Sequence, residues 1–369
     1  MNIIVRSGML VLITTFMFQT TYSQYKFEVD KSLECTEVKS QDRTGTCWSF
    51  ATSSFLESEL IRDGYAPMNL SEMYVVRVIY MDKARNYVLR QGNANFSQGS
   101  LSHDVIRVLA SGGVVPESAY PGREDESTRH DHSEMERVMK GALDGLLKSS
   151  SISDKWPGVI NAILDIYLGP LPESFDYHGK SVTPKEYADA LGLSSNDFVS
   201  ITSFSHHPFY QQFILEIPDN YSNGSYYNVP IDELMQTIDA SIQAGYTVAW
   251  DGDVSEKGFS QKKGVAILPE DPKREDLFEN PGAELKVTQE SRQINFENLS
   301  TTDDHLMHLT GIAHDQNGTK YYLVKNSWGD VGPAKGYIYM SEEYLRMKTI
   351  SIMVNQEAVP RSVAKKINL

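Results

Sequence analysis

From Cys47 to Arg62 the apolar residues Trp48, Phe50, Ala51, Phe55, Leu56, Leu60 and Ile61 recur at helical spacing, and Gly64 follows as a stop, so the pattern predicts a helix that Cys47 opens. Ser71–Ala84 and Ser102–Ser111 carry the same period, the second running into Gly112-Gly113 ahead of the short apolar pair Val114-Val115. The stretch from Pro121 to Ser133 is charged and reads as a surface loop, and a weaker helical pattern then extends to Leu168. Thr183-Pro184-Lys185-Glu186 combines a capping threonine, proline at the first helical position and glutamate three residues after the cap, which starts another helix. Phe198–Ile217 reads as extended, Pro230–Ala244 as an amphipathic helix closed by Gly245, and Tyr246–Trp250 as an apolar strand. From Leu306 onward, strand patterns and Asn/Gly turns dominate. Helices in front and strands behind predict an α+β chain of two lobes: mainly helical over about residues 40–200, mainly β over about 200–350, with a C-terminal tail at 355–369.

The first 23 residues follow another pattern: Arg6, an apolar run from Met9 to Phe18, and a small-residue exit at Thr21-Tyr22-Ser23. That is the make-up of a secretory signal peptide, 1–23, with a mature chain of 24–369. Its apolar core falls short of the roughly 20 residues that a membrane span needs, so the expectation is export to a periplasm or the medium without stable membrane insertion. A formal charge of -15 excludes a nucleic-acid footprint and a polybasic membrane patch. Two cysteines, Cys35 and Cys47, cannot build a disulfide framework. If Cys47 does chemistry it stays reduced, and Cys35 is then an unpaired buried thiol.

A cysteine in the first turn of a helix faces unsatisfied N–H groups and the positive end of the dipole, which lowers its pKa from a free value of about 8.5. The same placement also suits a small buried structural residue. Gln41 lies six residues ahead, in Gln41-Asp42-Arg43-Thr44-Gly45-Thr46-Cys47. If that loop curls back, the Gln41 amide and the Cys47 N–H can together hold an oxyanion. Otherwise Gln41 is a surface residue.

A general base has to come from elsewhere in the chain, and nine histidines are available. His130 and His132 fall in the charged loop and read as solvated, His103 lies in a helix, and His178 has no partner motif. His206-His207-Pro208 is a turn or a metal pair, but no carboxylate or cysteine stands at ligand spacing, so no metal or other cofactor is expected. His305 and His308 remain, in a strand followed by the turn Asp315-Gln316-Asn317-Gly318 and a second strand Lys320–Lys325. A two- or four-residue loop pairs Asn326 with an odd-numbered residue, so Asn326 shares a face with His305 and not with His308. A three- or five-residue loop would reverse the choice. Asn326 can fix the tautomer of that histidine, and Trp328 can shield the bond between them.

At these residues the chain resembles the papain superfamily, in which a glutamine precedes Cys-Trp-x-Phe by the same interval, a strand carries Asp-His, and Asn-Ser-Trp-Gly follows. Through Leu70-Ser71-Glu72-Met73-Tyr74, Gly113-Val114-Val115-Pro116-Glu117-Ser118, Thr183–Tyr187, His206–Tyr210, Tyr227–Pro230 and Trp250–Val254 it is similar to the bleomycin hydrolase and aminopeptidase C family over most of its mature length. The resemblance implies a papain-like two-lobed fold and a cysteine-type aminopeptidase acting on peptides. It implies Cys47 as nucleophile, His305 as base (with Met307 and Gly311 in the family's spacing), Asn326 as orienter and Gln41 as oxyanion donor. It puts Gly99 and Ser100 where backbone pairs with extended substrate, although the second position is usually glycine. It also implies that the terminal carboxylate of Leu369 meets the substrate's amino group in the cleft. Relatives form hexamers, so a homo-oligomer is open here, while the shorter central helical part and the export signal depart from the family. An endopeptidase with an open cleft and a catalytically silent binding protein are the competing readings.

Overall fold

The computed structural model describes residues 25–123 and 129–369, so the expected signal peptide and the centre of the charged 121–133 loop lie outside the described residues. In front, the helices α1 (Cys47–Arg62), α2 (Glu72–Leu89), α3 (Ser102–Gly112), α4 (Ser133–Leu146), α5 (Trp156–Leu168) and α6 (Pro184–Ala190) build one lobe. Behind them a mixed sheet carries α7 (Ile231–Ala244), α8 (Gln289–Glu297), α9 (Glu342–Lys348) and α10 (Arg361–Ile367). Its strands run in the order Gln212–Ile214, Ser225–Asn228, Phe198–Thr202, Thr349–Asn355, Val248–Gly252, His305–Asp315, Lys320–Lys325, Tyr337–Ser341, Val265–Ala266 and Phe259–Ser260. Phe27–Ser32 pairs with the outer half of His305–Asp315.

Helix α1 is more enclosed than its periodicity predicts, because it lies between α2 and α3 on one side and the strands His305–Asp315 and Val248–Gly252 on the other. Phe55, Leu56 and Leu60 are buried in it, each contributing roughly 1.5–3 kcal/mol on transfer from water. Its two glutamates are buried as well, and each is paired: Glu57 with Lys39 and the Thr36 hydroxyl, Glu59 with Arg62 and Asn355. At the start of α2, Ser71 Oγ accepts from the Tyr74 N–H at 3.0 Å. Helix α3 stops at Gly113, whose φ of 77° leaves no room for a side chain against the Pro184 carbonyl. Thr183 and Glu186 close the predicted capping box on α6.

Two extended predictions are corrected. Phe198–Ile217 is interrupted after Thr202, because the Asn228 side chain bonds the backbone of Phe204, His207 and Pro208 and holds the intervening chain as a loop. Tyr246 is not in its strand, since its N–H returns to the Ser241 carbonyl over Gly245 at the end of α7; the strand starts at Val248.

The hairpin holds a compensation. Near the turn the pairs are His314↔Lys320, Ala313↔Tyr321 and Ile312↔Tyr322, the register of a three-residue loop, which by itself would turn Asn326 away from His305. The register then shifts between Leu309 and Gly311, and beyond the bulge His308 faces Lys325. One extra residue in this strand restores the odd-numbered pairing, so Asn326 and His305 share a face after all. The bulge is held from the far side by Phe27–Ser32: Ser32 pairs with Gly311, and an added Cβ there would meet the Lys31 carbonyl.

The C-terminal tail is helical. Val363 and Ile367 of α10 are buried in the β-lobe core with Ile231 and Leu234 of α7, and Lys366 pairs with Glu233 at 2.6 Å.

Candidate active site

Cys47 is the first residue of α1 and its turn is tied down by Gln98, whose side-chain oxygen accepts from the Gly45 N–H (2.7 Å) and whose carbonyl accepts from Trp48 Nε1 (3.0 Å). The sulfur receives the backbone N–H of Leu306, the residue after His305. The candidate nucleophile and candidate base thus arrive from opposite ends of the chain, Cys47 meeting the strand of His305 at Leu306. The expected depression of the thiol pKa is overturned: burial pushes it up to about 12, with Asp303, Asp219 and Asp251 adding in the same direction. The helix end is outweighed because Cys47 is only 7% exposed and the anion would lose its hydration.

His305 opens its strand and its Nε2 meets Asn326 Oδ1 at 2.7 Å. Trp328 covers the ring at 4.8 Å between centroids, tilted by 34°. Burial holds the imidazole down to about 4, against the raising effect of Asn326. No hydrogen bond joins the His305 ring to the Cys47 thiol among the described residues. Asn326 is fixed in turn: its Nδ2 donates to Gln261 Oε1 at 3.0 Å, and its Oδ1 also accepts the Ser327 N–H at 2.7 Å. Gln261 spends its own amide hydrogens on the Val331 and Tyr337 carbonyls. Gln41 joins the same network, accepting from Ser327 Oγ at 2.6 Å, with its N–H on the Ser327 carbonyl and its Nε2 on the Thr44 carbonyl. His305, Asn326 and Gln41 are therefore joined in one network through Ser327, and Cys47 meets the same strand at Leu306.

Other sequence readings fare differently. His308 is fully buried and bonds Ser54 of α1 through Nδ1 at 2.9 Å, a link between the lobes. His130 and His132 are buried and not solvated; burial lowers both pKa values, His132 to about 3. His206 and His207 do meet a carboxylate, Glu216, at 3.2 and 2.6 Å, supplied by the chain's return after the loop. Gln293 donates to His206 Nδ1, which leaves the ring proton on Nε2 to donate to Glu216.

The Gly99 carbonyl receives the ammonium of Lys83, and Ser100 turns its hydroxyl onto Asp104. Leu369 is placed elsewhere. With Asn368 it lines a cavity shared with His103, Phe198 and Tyr227, and neither Cys47 nor His305 borders that cavity. The reason is α10, whose buried face commits the tail to the β-lobe core. Sequence reasoning missed Gln98 and Gln261, which only the folded chain brings to the site, and the three aspartates around the sulfur. Asp303 was visible in principle, two residues before His305.

Residues 168–369 match the family described as peptidase C1-like, and residues 25–154 match the papain family cysteine protease. Aminopeptidase C of Streptococcus thermophilus is 23% identical over 96% of this chain and 88% of its own length. Aminopeptidase W of Lactobacillus delbrueckii subsp. lactis is 24% identical over 90% of this chain and 83% of its own. Among solved structures, PepW from Lactobacillus rhamnosis superposes with a TM-score of 0.76 at 19% identity, covering 92% of this chain and 84% of that one.

Proposed function

The chain belongs to the peptidase C1-like family and is a cysteine peptidase of papain-like α+β fold, and on that premise we propose that it removes residues from the free amino end of peptides by acyl transfer at Cys47. The single observation that carries the chemistry is the 2.7 Å bond from His305 to Asn326 beside the opening turn of α1. The relatives named aminopeptidase C and W support the specificity.

His305, neutral at rest, takes the Cys47 proton as the sulfur attacks the peptide carbonyl. Asn326 keeps the ring's other nitrogen protonated and bound, so the nitrogen left free can act as base. The carbonyl oxygen becomes an oxyanion held by the Gln41 amide and the Cys47 N–H. His305 then protonates the leaving amine, and water, deprotonated by the same ring, cleaves the thioester.

Cys47→Ala is expected to abolish hydrolysis of amino-acid anilides while leaving the fold intact by circular dichroism; near-normal turnover by that variant refutes the assignment. An endopeptidase is the second reading, favoured by the placement of Leu369 outside the site. N-acetylated peptides separate the two, since an endopeptidase cleaves them and an aminopeptidase does not. Export rests on residues 1–23, and a mature protein beginning near Gln24 outside the cytoplasm is the expected finding. Homo-oligomerisation is read by light scattering of the mature chain.

A further inference from the structure

An amide can face a ring nitrogen in either of two ways, and the two do opposite chemistry. With Asn326 Oδ1 toward His305 Nε2, the ring carries its proton on Nε2 and keeps the Nδ1 lone pair free to take another. Turned over, the same side chain would present Nδ2, the ring proton would move to Nδ1, and that lone pair would be gone. Oxygen and nitrogen have nearly the same size, so shape does not choose between the two orientations. The hydrogen bonds behind the amide do.

Those bonds lead to Gln261. Asn326 Nδ2 donates to Gln261 Oε1 at 3.0 Å and has no other acceptor among the described residues. Gln261 Nε2 spends one hydrogen on the Val331 carbonyl at 3.3 Å and the other on the Tyr337 carbonyl at 3.2 Å. Backbone carbonyls only accept, so one orientation of Gln261 satisfies them, with Nε2 toward the carbonyls and Oε1 toward Asn326. Direction is thereby passed from Val331 and Tyr337 to Gln261, from Gln261 to Asn326, and from Asn326 to His305. The Ser327 N–H on Asn326 Oδ1 supports the same sense at 2.7 Å.

The sheet holds the start of this relay in place. Tyr337 stands across the ladder from Lys325, one residue before Asn326, and the Asn326 N–H is itself held by the Gly336 carbonyl at 3.1 Å. Gln261 lies in the turn between Phe259–Ser260 and Val265–Ala266, and Val265 pairs with Tyr339 in the strand that Tyr337 opens. Its own carbonyl receives the Gly264 N–H at 3.1 Å. At 6% exposure, the Gln261 amide is shut off from bulk water that could replace these partners.

We propose that Gln261 is a positioning residue for the reaction: through Asn326 it sets the tautomer of His305 and so keeps the ring a base. It acts on Asn326 and not on the reacting atoms. The inference rests on the roles given to His305 and Asn326 in the proposed mechanism.

Gln261→Met keeps the length of the side chain and removes its polarity. It is expected to lower kcat for alanine anilide by about 10- to 100-fold, the worth of one buried hydrogen bond, with KM within about twofold of wild type. Gln261→Glu is the conservative variant. Protonated, its carboxyl accepts from Asn326 and donates to one of the two carbonyls; ionised, it sets an acceptor against both. Burial raises such a carboxyl, so kcat is expected to stay within about threefold of wild type at pH 5 and to fall to the level of Gln261→Met at pH 8. The tautomer is read by NMR of protein grown on nitrogen-labelled histidine, with His305→Ala identifying the resonances. Wild type shows the proton on Nε2, and Gln261→Met shows a mixture. A wild-type proton on Nδ1 overturns the proposal without any variant. It is also overturned by a Gln261→Met enzyme that keeps kcat, or that loses kcat with the proton still wholly on Nε2, since the effect is then structural. If Gln261→Met does not fold, the wild-type spectrum and the pH response of Gln261→Glu decide, and equal rates relative to wild type at both pH values overturn the relay. Asn326→Ala is measured alongside. Full kcat in that variant removes the assignment of Asn326 itself, whereas a slow Asn326→Ala beside an unaffected Gln261→Met leaves the assignment standing and dismisses Gln261 alone.

Discussion

Replacing Asn326 with alanine removes three hydrogen bonds at once: from His305 Nε2 at 2.7 Å, from the Ser327 N–H at 2.7 Å, and to Gln261 Oε1 at 3.0 Å. All these partners are buried, and each group left unsatisfied costs roughly 1–3 kcal/mol. The His305 share acts on the reaction, because the ring loses the contact that fixes its proton on Nε2. That share alone lowers kcat/KM by roughly 10- to 100-fold. The remaining two act on stability and lower the urea midpoint. Asn326→Asp separates the effects. It keeps the oxygen that accepts from His305 but sets a second oxygen against Gln261 Oε1, and Gln261 cannot turn without surrendering the Val331 and Tyr337 carbonyls. Its added charge also favours the imidazolium, so the acid limb of the kcat/KM profile moves to higher pH. The assay is alanine anilide hydrolysis from pH 4 to pH 9 with urea unfolding alongside. If Asn326→Ala keeps kcat/KM within about twofold of wild type, the orienting role falls.

Further consequences concern pH and the tail. Burial holds His132 to about 3 and His305 to about 4 in the fold, below the ordinary imidazole value of 6.5. Their contribution is complete above pH 6.5 and is lost as pH falls toward those values, because the unfolded chain takes up protons first. The urea midpoint therefore drops between pH 6.5 and pH 4.5, and His132→Leu flattens the drop; an unchanged slope contradicts this. Asp251 acts in the opposite sense, since its carboxyl is raised to about 7 by burial and its contribution fades as pH rises through that value. Asp251→Asn thus raises the melting temperature more at pH 8 than at pH 4, since the loss is spread between 3.8 and about 7. Deleting Leu369, which is 38% exposed and apart from the sulfur, leaves the preference for a free amine unchanged; loss of that preference returns the carboxylate role to the tail.

Local chemistry was the legible part. Ser71, Thr183 and Gly245 act on their own neighbours, and they cap or close helices where the pattern puts them. Cys47, His305, Asn326 and Gln41 stand out in the sequence because each sits in a short block with its own spacing. What the sequence hid depends on contacts between distant segments. The interruption after Thr202 is imposed by Asn228, and the tail's course by the apolar face of α10. The thiol pKa was misjudged because a helix end can be seen in a sequence, whereas the burial that outweighs it cannot. The parity that favours His305 over His308 assumes an even turn, whereas the turn has three residues and the bulge near Thr310 restores the pairing; the spacing of Met307 and Gly311 points to His305 independently of the turn.

That bulge is braced by Phe27–Ser32, among the first residues of the described chain, while His305 and Asn326 come near its end. A ribosome that has released only the front lobe has made a sulfur with neither its base nor the strand arrangement that would aim one. On the proposed assignment, the site is complete only when the last quarter of the polypeptide has been added and has closed onto the first.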